Sequence, residues 1–292
     1  MTVNFKSAEK YHGILVYISE YSESDYYSTK ALINNLRNVE IKFKQNRINK
    51  KVSDLFKNLV IIKGNKERSE IDQIYKSGTA NWRAFFETET ETIVFDLQHF
   101  KNEEMLMNTL VHEIGHAIHV NFVSKDSSKY ISDIGKKYVD IITLLKELKN
   151  NVEENQEDDD FCESTVDEAE NAFYDFADLL DSSVDASVSD STTSNISSQI
   201  CDEYESEQNL TYSSSIESMI VAIMKFAPSE YGVTEEKEFF AECFRQFILS
   251  PDDLSLNNRN MIINALTMSR AQGKELMQAH KILKSYIKAL LS

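Results

Sequence analysis

The pattern of hydrophobic and polar residues changes along this chain, from short apolar runs in the first third to helical spacing afterwards. A run rich in β-branched and aromatic residues and bounded by turn residues is typical of a strand. Such runs lie at Ile14–Ile18 and Leu59–Lys63. Two more, Trp82–Phe86 and Thr92–Asp96, are separated by the polar Glu87–Glu91 and predict a hairpin. These segments together predict a small mixed sheet.

Apolar residues three and four positions apart predict helices through most of the remaining chain. A first helix is expected from Ser24 to about Ile48, between the first two strands. Thr165 and Glu168 form a capping-box pattern that predicts the start of a later helix. The fold class expected is therefore α+β, with the sheet first and a helical C-terminal half. The helices expected after the hairpin contain Leu106–Ile118, Tyr130–Leu148, Thr165–Leu180, Ile216–Phe226, Glu235–Leu249 and one or two parts of Leu254–Ser292.

Two stretches between these helices lack periodicity. Asn151–Asp160 is acidic and expected to be unfolded, and Asp181 to about Ser198 is rich in Ser, Asp and Thr, which predicts a flexible linker. The segment from Asn150 to Met224 has no Lys or Arg and holds 20 of the 48 acidic residues, which leaves 31 basic against 28 acidic residues elsewhere. The net charge of −17 therefore belongs to one acidic segment on a nearly neutral body. Such a segment is unsuited to nucleic acid and would suit a basic protein partner.

Composition restricts the class of protein further. The first residues contain no apolar stretch typical of a signal peptide, so we expect synthesis in the cytoplasm, with unconventional export or injection left open. No apolar run approaches the roughly 20 residues of a membrane span. The three cysteines, Cys162, Cys201 and Cys243, are an odd number without framework spacing, which argues against a disulfide scaffold.

The motif His112-Glu113-Ile114-Gly115-His116 lies within a predicted helix. Positions four apart lie above one another on a helix, so the imidazoles of His112 and His116 would share one face. Two neutral imidazoles in this arrangement can bind one Zn²⁺, and Glu113 beside them would be aimed at a bound water as a general base. The alternative is a core helix with two incidental histidines.

A zinc site also needs a third protein ligand. The metzincin extension requires glycine at position 119 and histidine at 122, but the chain has His119 and Phe122. His119 is about 60° away from the face of His116 and is expected at the surface or as a helix cap. Glu238 and Glu242 are again four residues apart, on a predicted helix with an aromatic face. They are either a ligand and its support or two solvated glutamates.

Tyr231, followed after six residues by Glu238-Phe-Phe-Ala-Glu242 and preceded by the HExGHA motif, resembles the catalytic domain of anthrax lethal factor and its relatives. These are gluzincin metallopeptidases and include the clostridial Pro-Pro endopeptidases. The resemblance covers about residues 12–125 and 216–290, and the order of strands and helices agrees with it. It implies a zincin-like fold, with zinc bound by His112, His116 and Glu238, Glu113 as the general base, Tyr231 as a donor to the oxyanion and Glu242 supporting a ligand histidine.

The spacing between the metal helices departs from this family. His116 and Glu238 are 238 − 116 = 122 residues apart, and the excess falls in the acidic stretch. We therefore expect residues 1–125 and 216–292 to form the peptidase domain, and 126–215 to be a partly disordered insertion with helices. An insertion whose ends are close together is tolerated, because closure entropy grows slowly with length. Replacing Asn151–Glu207 by a short linker is accordingly expected to leave the metal site intact.

The predicted function is a zinc-dependent endopeptidase acting on a protein or peptide. Zinc would supply an activated water, Glu113 would move its proton to the leaving amine, and Tyr231 would stabilise the oxyanion. The resemblance suggests that the strand Thr92–Asp96 pairs with an extended substrate by strand addition; the alternative is that it is scaffold only. The alternative function is a non-catalytic binding or structural protein on a metallopeptidase-like fold, although a structural site has no need of the base Glu113.

Overall fold

The computed structural model describes residues 5–19, 23–63, 68–69, 71–72, 82–123, 129–182, 196–205 and 211–267. Within these residues the fold is mixed α+β, with a five-stranded sheet and eight α-helices. The chain divides into two compact units. The first comprises Met1–Ser127, Phe247–Ser250 and Ile262–Ser292, and the second comprises Ser128–Gln246 and Pro251–Met261. These units divide the chain at other positions than the three predicted segments 1–125, 126–215 and 216–292.

The sheet of the first unit is mixed, as predicted. Its strand order is β1-β2-β3-β5-β4, with β2, β3 and β5 parallel and the outer pairs β1–β2 and β4–β5 antiparallel. His12 and Gly13 join the first two strands with positive φ at both positions, which is the backbone of a tight hairpin turn. The strands are β1 Phe5–Tyr11, β2 Ile14–Ser19, β3 Asn58–Ile62, β4 Ala84–Glu87 and β5 Thr92–Asp96.

The position of β5 in this order corrects one expectation. Thr92–Asp96 is paired with β3 on one side and with β4 on the other, so it has no edge to offer a substrate. Among the described strands the edges are β1 and β4. Every residue of β3 and β5 is buried, as expected for interior parallel strands that are covered on both faces.

Two helices of the first unit pack against each other beside the sheet. They are α1, Glu23–Gln45, and α2, Glu103–Ile118. The helical spacing of Leu32, Leu36, Val39 and Phe43 in α1 produces a fully buried stripe. A separate cluster, formed by strand residues with Trp82, fills one side of the sheet and includes Tyr17, Val60, Ile62, Ile71, Trp82 and Val94.

The second unit is built from helices. In it α3 packs against α4 and α6, and α5 packs against α4 and α6. Among the described residues, no helix in either unit is long and apolar enough to cross a membrane. The helices are α3 Lys129–Glu154, α4 Asp159–Ser182, α5 Ile196–Glu205, α6 Tyr212–Met224, α7 Glu236–Leu249 and α8 Leu256–Thr267, the last two of which continue beyond the second unit.

Most predicted elements are confirmed, but the acidic stretch Asn151–Asp160 is not unfolded. Helix α3 continues to Glu154 and α4 begins at Asp159, so only four residues separate them. Thr165 does not cap a helix. It lies inside α4, where its hydroxyl donates to the carbonyl of Phe161 at 2.8 Å. The capping-box interpretation therefore placed the start of the helix about two turns too late.

Two described elements were not predicted from the sequence. They are β1 and α5, and the latter begins where the linker was expected to end. The remainder of the predicted linker, residues 183–195, lies outside the described residues, as does 268–292 of the predicted C-terminal helices.

Candidate metal centre

The helix that carries His112 and His116 has a well-defined start. The Asn102 side chain accepts a hydrogen bond from the Met105 amide at 2.8 Å, and Glu103 and Glu104 occupy the first turn. Both features stabilise a helix N-terminus, the first by satisfying an amide and the second by complementing the helix dipole. Leu110, Val111, Ile114 and Ala117 are fully buried, so the helix is fixed in the first unit by one apolar face.

A buried polar network precedes this helix. Asp96, at the end of β5, is fully buried and accepts hydrogen bonds from the Gln98 side chain at 2.6 Å and from Arg68 at 3.4 Å. Arg68 also donates to the Trp82 carbonyl and stacks on the Trp82 ring. This network ties the end of the strand to its surroundings a few residues before α2 begins. The sequence gives only a weak signal for it, an Asp at a strand end followed by polar residues.

The imidazoles of His112 and His116 lie next to each other on one side of α2, as the four-residue spacing predicts. Their ring centroids are 4.7 Å apart and the rings are nearly perpendicular, at 87°. Both side chains are half-buried, whereas the intervening Glu113 is only 6% exposed. A glutamate on the solvent-facing side of a helix is normally exposed, so the burial of the Glu113 carboxylate is unusual.

His119 was expected at the surface or as a helix cap. It caps α2, because its backbone N–H donates to the carbonyls of Gly115 and His116. The surface position was wrong, since His119 is buried and begins a π-helical turn, His119–Val123, in which Asn121 donates to the buried Leu55 carbonyl. Apolar periodicity in the sequence does not reveal such a turn.

Glu238 lies in the first turn of α7, and its side chain is 8% exposed. The aromatic face predicted for this helix is present, because Phe239, Phe240, Phe244 and Phe247 are all buried. The Phe239 ring stacks on Tyr138 of α3, with centroids 4.7 Å apart. The interpretation of Glu238 and Glu242 as two solvated glutamates is therefore wrong, since both are buried.

Glu242 has partners that the sequence did not indicate. Its carboxylate accepts hydrogen bonds from Arg245 at 2.8 and 3.1 Å, and its Oε2 also accepts one from the Ser229 hydroxyl at 2.9 Å. Arg245 is three residues further along the same helix, a spacing at which side chains meet. Only that spacing could have suggested the ion pair, and nothing in the sequence suggests Ser229.

Tyr231 lies on the segment that leads into α7. Its side chain is 55% exposed, and it immediately precedes a short 3-10 turn, Gly232–Thr234. The Tyr231 carbonyl accepts hydrogen bonds from the hydroxyl and the amide of Thr234, at 2.7 and 3.2 Å. The side chain of Tyr231 is therefore exposed at a point where the backbone is held by hydrogen bonds.

One ligand atom from each of His112, His116 and Glu238 lies within 4.8 Å of the other two. Three ligand atoms at about 2.1 Å from one zinc ion in a tetrahedron are about 3.4 Å apart, a separation that the 4.8 Å limit of this group includes. Two imidazoles and one carboxylate also match the donor set of catalytic zinc sites, which keep the fourth position for water or substrate. Among the described residues, Glu113, His119 and Glu242 do not belong to this group.

No protein-family model, curated protein or solved structure matches this chain.

Proposed function

We propose that this protein is a zinc-dependent endopeptidase of the gluzincin type, similar in its site to the lethal factor family. The observation that carries the proposal is the group formed by His112, His116 and Glu238. Glu238 lies 122 residues after His116 in the sequence. A chance HExxH motif has no reason to be accompanied by a buried carboxylate at ligand distance. The motif and the third ligand are independent features that support the same chemistry.

In this proposal His112, His116 and Glu238 would hold the ion, which when bound would supply a Lewis acid and a water of lowered pKa. The Glu113 carboxylate would accept a proton from the attacking water and deliver it to the leaving amine, a role that requires a carboxylate beside the ligands but outside the donor set. The buried position of Glu113 and its absence from the ligand group, among the described residues, favour this assignment.

The Tyr231 hydroxyl would donate a hydrogen bond to the oxyanion that develops on the scissile carbonyl. Donors aimed at developing charge contribute most when they are held in advance of the reaction. Two observations support this role. The hydrogen bond from Thr234 to the Tyr231 carbonyl restricts backbone motion, and the Tyr231 side chain is exposed on the surface, where a substrate can contact it.

The substrate of the proposed enzyme is an extended peptide. Because β5 is enclosed in the sheet, strand addition would use β4, Ala84–Glu87, which is an edge among the described strands. Helix α2 contacts β4 within the same unit, so a peptide paired with this edge would lie near the helix that bears Glu113. Main-chain pairing would provide affinity with little dependence on sequence, and side-chain preference would come from residues outside the strand.

Metal analysis and peptide cleavage together test the proposal. The wild-type chain is expected to bind one zinc ion and to cleave members of a peptide library detected by mass spectrometry. His112→Ala is expected to lose zinc, and Glu113→Ala to retain zinc while cleavage falls by at least ~10²-fold. His12→Ala is the matched control, because that exposed histidine pairs with Glu40 outside the group.

Two results would contradict the proposal. Stoichiometric zinc in His112→Ala would exclude the ligand set. Zinc in the wild-type chain without cleavage of any library member would favour the alternative function, a binding or structural protein on a metallopeptidase-like fold.

A further inference from the structure

The peptide unit between Tyr231 and Gly232 is held at both of its polar groups. Its carbonyl accepts hydrogen bonds from Thr234, and its N–H donates to the Ser229 hydroxyl oxygen at 3.0 Å. With the carbonyl and the N–H both bound, the plane of this peptide cannot rotate without losing a hydrogen bond. The direction in which the Tyr231 side chain leaves the backbone is fixed in consequence.

Ser229 connects this peptide unit to α7. Its hydroxyl accepts from the Gly232 amide and at the same time donates to Glu242 at 2.9 Å. Glu242 is in turn held by two hydrogen bonds from Arg245. The result is a continuous chain from the Tyr231 backbone to a carboxylate that lies one helical turn after Glu238.

Packing reinforces these hydrogen bonds. Gly232 is buried, and a Cβ atom added there would lie 2.9 Å from Cγ of Pro228 and 3.3 Å from Cβ of Glu242. The turn that follows Tyr231 therefore sits directly on the helix at Glu242. Only a residue without a side chain fits between them.

We propose that Ser229 is a positioning residue for Tyr231, and that it acts by anchoring the Tyr231–Gly232 peptide to Glu242. This inference depends on the proposed function, since it concerns the placement of the oxyanion donor relative to the ligand Glu238. Arg245 keeps the Glu242 carboxylate in the orientation that Ser229 requires. Loss of this anchor would let the Tyr231–Gly232 peptide shift, and a displacement of about 1 Å can cost about 10²-fold in rate.

A double-mutant cycle tests whether Ser229 acts through the Tyr231 hydroxyl. Tyr231→Phe is expected to reduce kcat by roughly 10–10³-fold with KM little changed. Ser229→Ala is expected to reduce kcat by about 10-fold or more at full zinc content. In the Tyr231→Phe background the same Ser229→Ala change is expected to have almost no effect, because the hydroxyl that it positions is already gone.

Two further variants separate positioning from a general loss of structure. Ser229→Thr keeps the hydroxyl and is expected to restore most of the activity. Ser213→Ala removes another serine hydroxyl that donates to a glutamate at 2.9 Å, that of Glu153, and is expected to leave kcat unchanged. Hydrogen–deuterium exchange provides a readout without activity: in Ser229→Ala the amide of Gly232 should exchange faster, while those of α7 should not.

The outcomes distinguish this inference from the proposed function. A wild-type chain that cleaves no peptide would contradict the proposed function itself. An active wild-type chain in which Ser229→Ala leaves kcat unchanged, or in which the two losses simply add, would overturn the positioning role and leave the zinc site standing.

Discussion

The rings of Tyr138 and Phe239 stack on one another, with centroids 4.7 Å apart and an angle of 27° between their planes. Tyr138 belongs to α3 and Phe239 to α7, where it directly follows Glu238. Phe176 of α4 then packs edge-on against Tyr138 at 5.0 Å. Three aromatic rings thus link helix α4, in the stretch expected to be a partly disordered insertion, to the helix that carries the proposed third ligand.

Removing the outermost of these rings should weaken the second unit. Phe176→Ala deletes a buried phenyl ring, and such changes typically cost about 3–5 kcal/mol of the free energy of unfolding. Urea unfolding followed by circular dichroism measures the loss. Tyr174→Ala on the same helix is the control, because Tyr174 is exposed and should cost much less. Equal losses in the two variants would show that the ring stack does not stabilise the unit.

The same contacts change the expectation for the deletion of Asn151–Glu207. A short linker in its place would remove Phe176 and the fully buried Phe173 as well as the acidic residues. Tyr138 would then lose its partner on one side. We now expect this deletion to lower the stability of the second unit, which the same urea measurement would detect, whereas the sequence alone suggested that it would be tolerated.

Stability should also fall at alkaline pH because of Tyr138. Burial, and then the neighbouring Cys243, raise the pKa of this phenol above its ordinary value near 10. Below that ordinary value the phenol is protonated in both states and stability is unaffected. Above it the unfolded chain releases the proton while the folded chain retains it, so the free energy of unfolding decreases as the pH rises.

Tyr138→Phe keeps the ring and removes the ionisation. We expect urea unfolding at about pH 8 and about pH 11 to show a smaller decrease for this variant than for the wild-type chain. Buried Cys243, whose pKa is also raised by burial, remains in both proteins, so its own ionisation lowers the stability of both. An identical decrease in the two proteins would rule out Tyr138 as its source.

Glu238 and Glu242 should differ in their effect on zinc. Glu238→Ala removes a proposed ligand and is expected to abolish tight binding. Glu242→Ala removes the partner of Ser229 and Arg245 rather than a member of the ligand group, and supporting residues of this kind typically contribute about 10–100-fold in metal affinity. Competition with a chromogenic chelator measures both affinities. If Glu242→Ala empties the site while Glu238→Ala does not, the two roles are reversed.

The sequence predicted what depends on local periodicity. The strands β2 and β3, the hairpin of β4 and β5, and helices α1, α2, α6 and α7 follow from apolar spacing and from stops such as Pro228 and Pro251. Strand β1 was missed, since its apolar residues do not alternate and its register shifts between Phe5 and Ser7. The early start of α4 was missed because Thr165 looked like a cap although its hydroxyl bonds within the helix.

Some residues of the candidate site likewise follow from local spacing, and others depend on contacts between distant parts of the sequence. His112, Glu113 and His116 are determined by spacing on one helix, so the sequence could identify them. Glu238 required a family resemblance, because nothing local to α7 indicates which distant histidines accompany it. The contacts of Ser229 and Arg245 with Glu242 depend on how a turn folds back onto a helix, which no periodic pattern encodes.

The last prediction concerns the space beside Gly232. Gly232→Ala would bring a Cβ atom to 2.9 Å from Cγ of Pro228, closer than a Cβ atom normally approaches. The turn must therefore shift, and Tyr231 with it. We expect kcat for peptide cleavage to fall by about 10-fold or more, with zinc content and KM little changed, because the ligands do not move and only the oxyanion donor does.

Pro228 offers a direct control for this steric argument. Pro228→Ala removes the ring atom that the new methyl group would meet, so the double variant Gly232→Ala with Pro228→Ala should recover much of the lost rate. Pro228→Ala alone should change the rate much less than Gly232→Ala. If the double variant is as slow as Gly232→Ala, the loss does not come from this contact, and the remaining close neighbours, Cβ of Glu242 and the Ser229 hydroxyl at 3.3 Å each, become its cause.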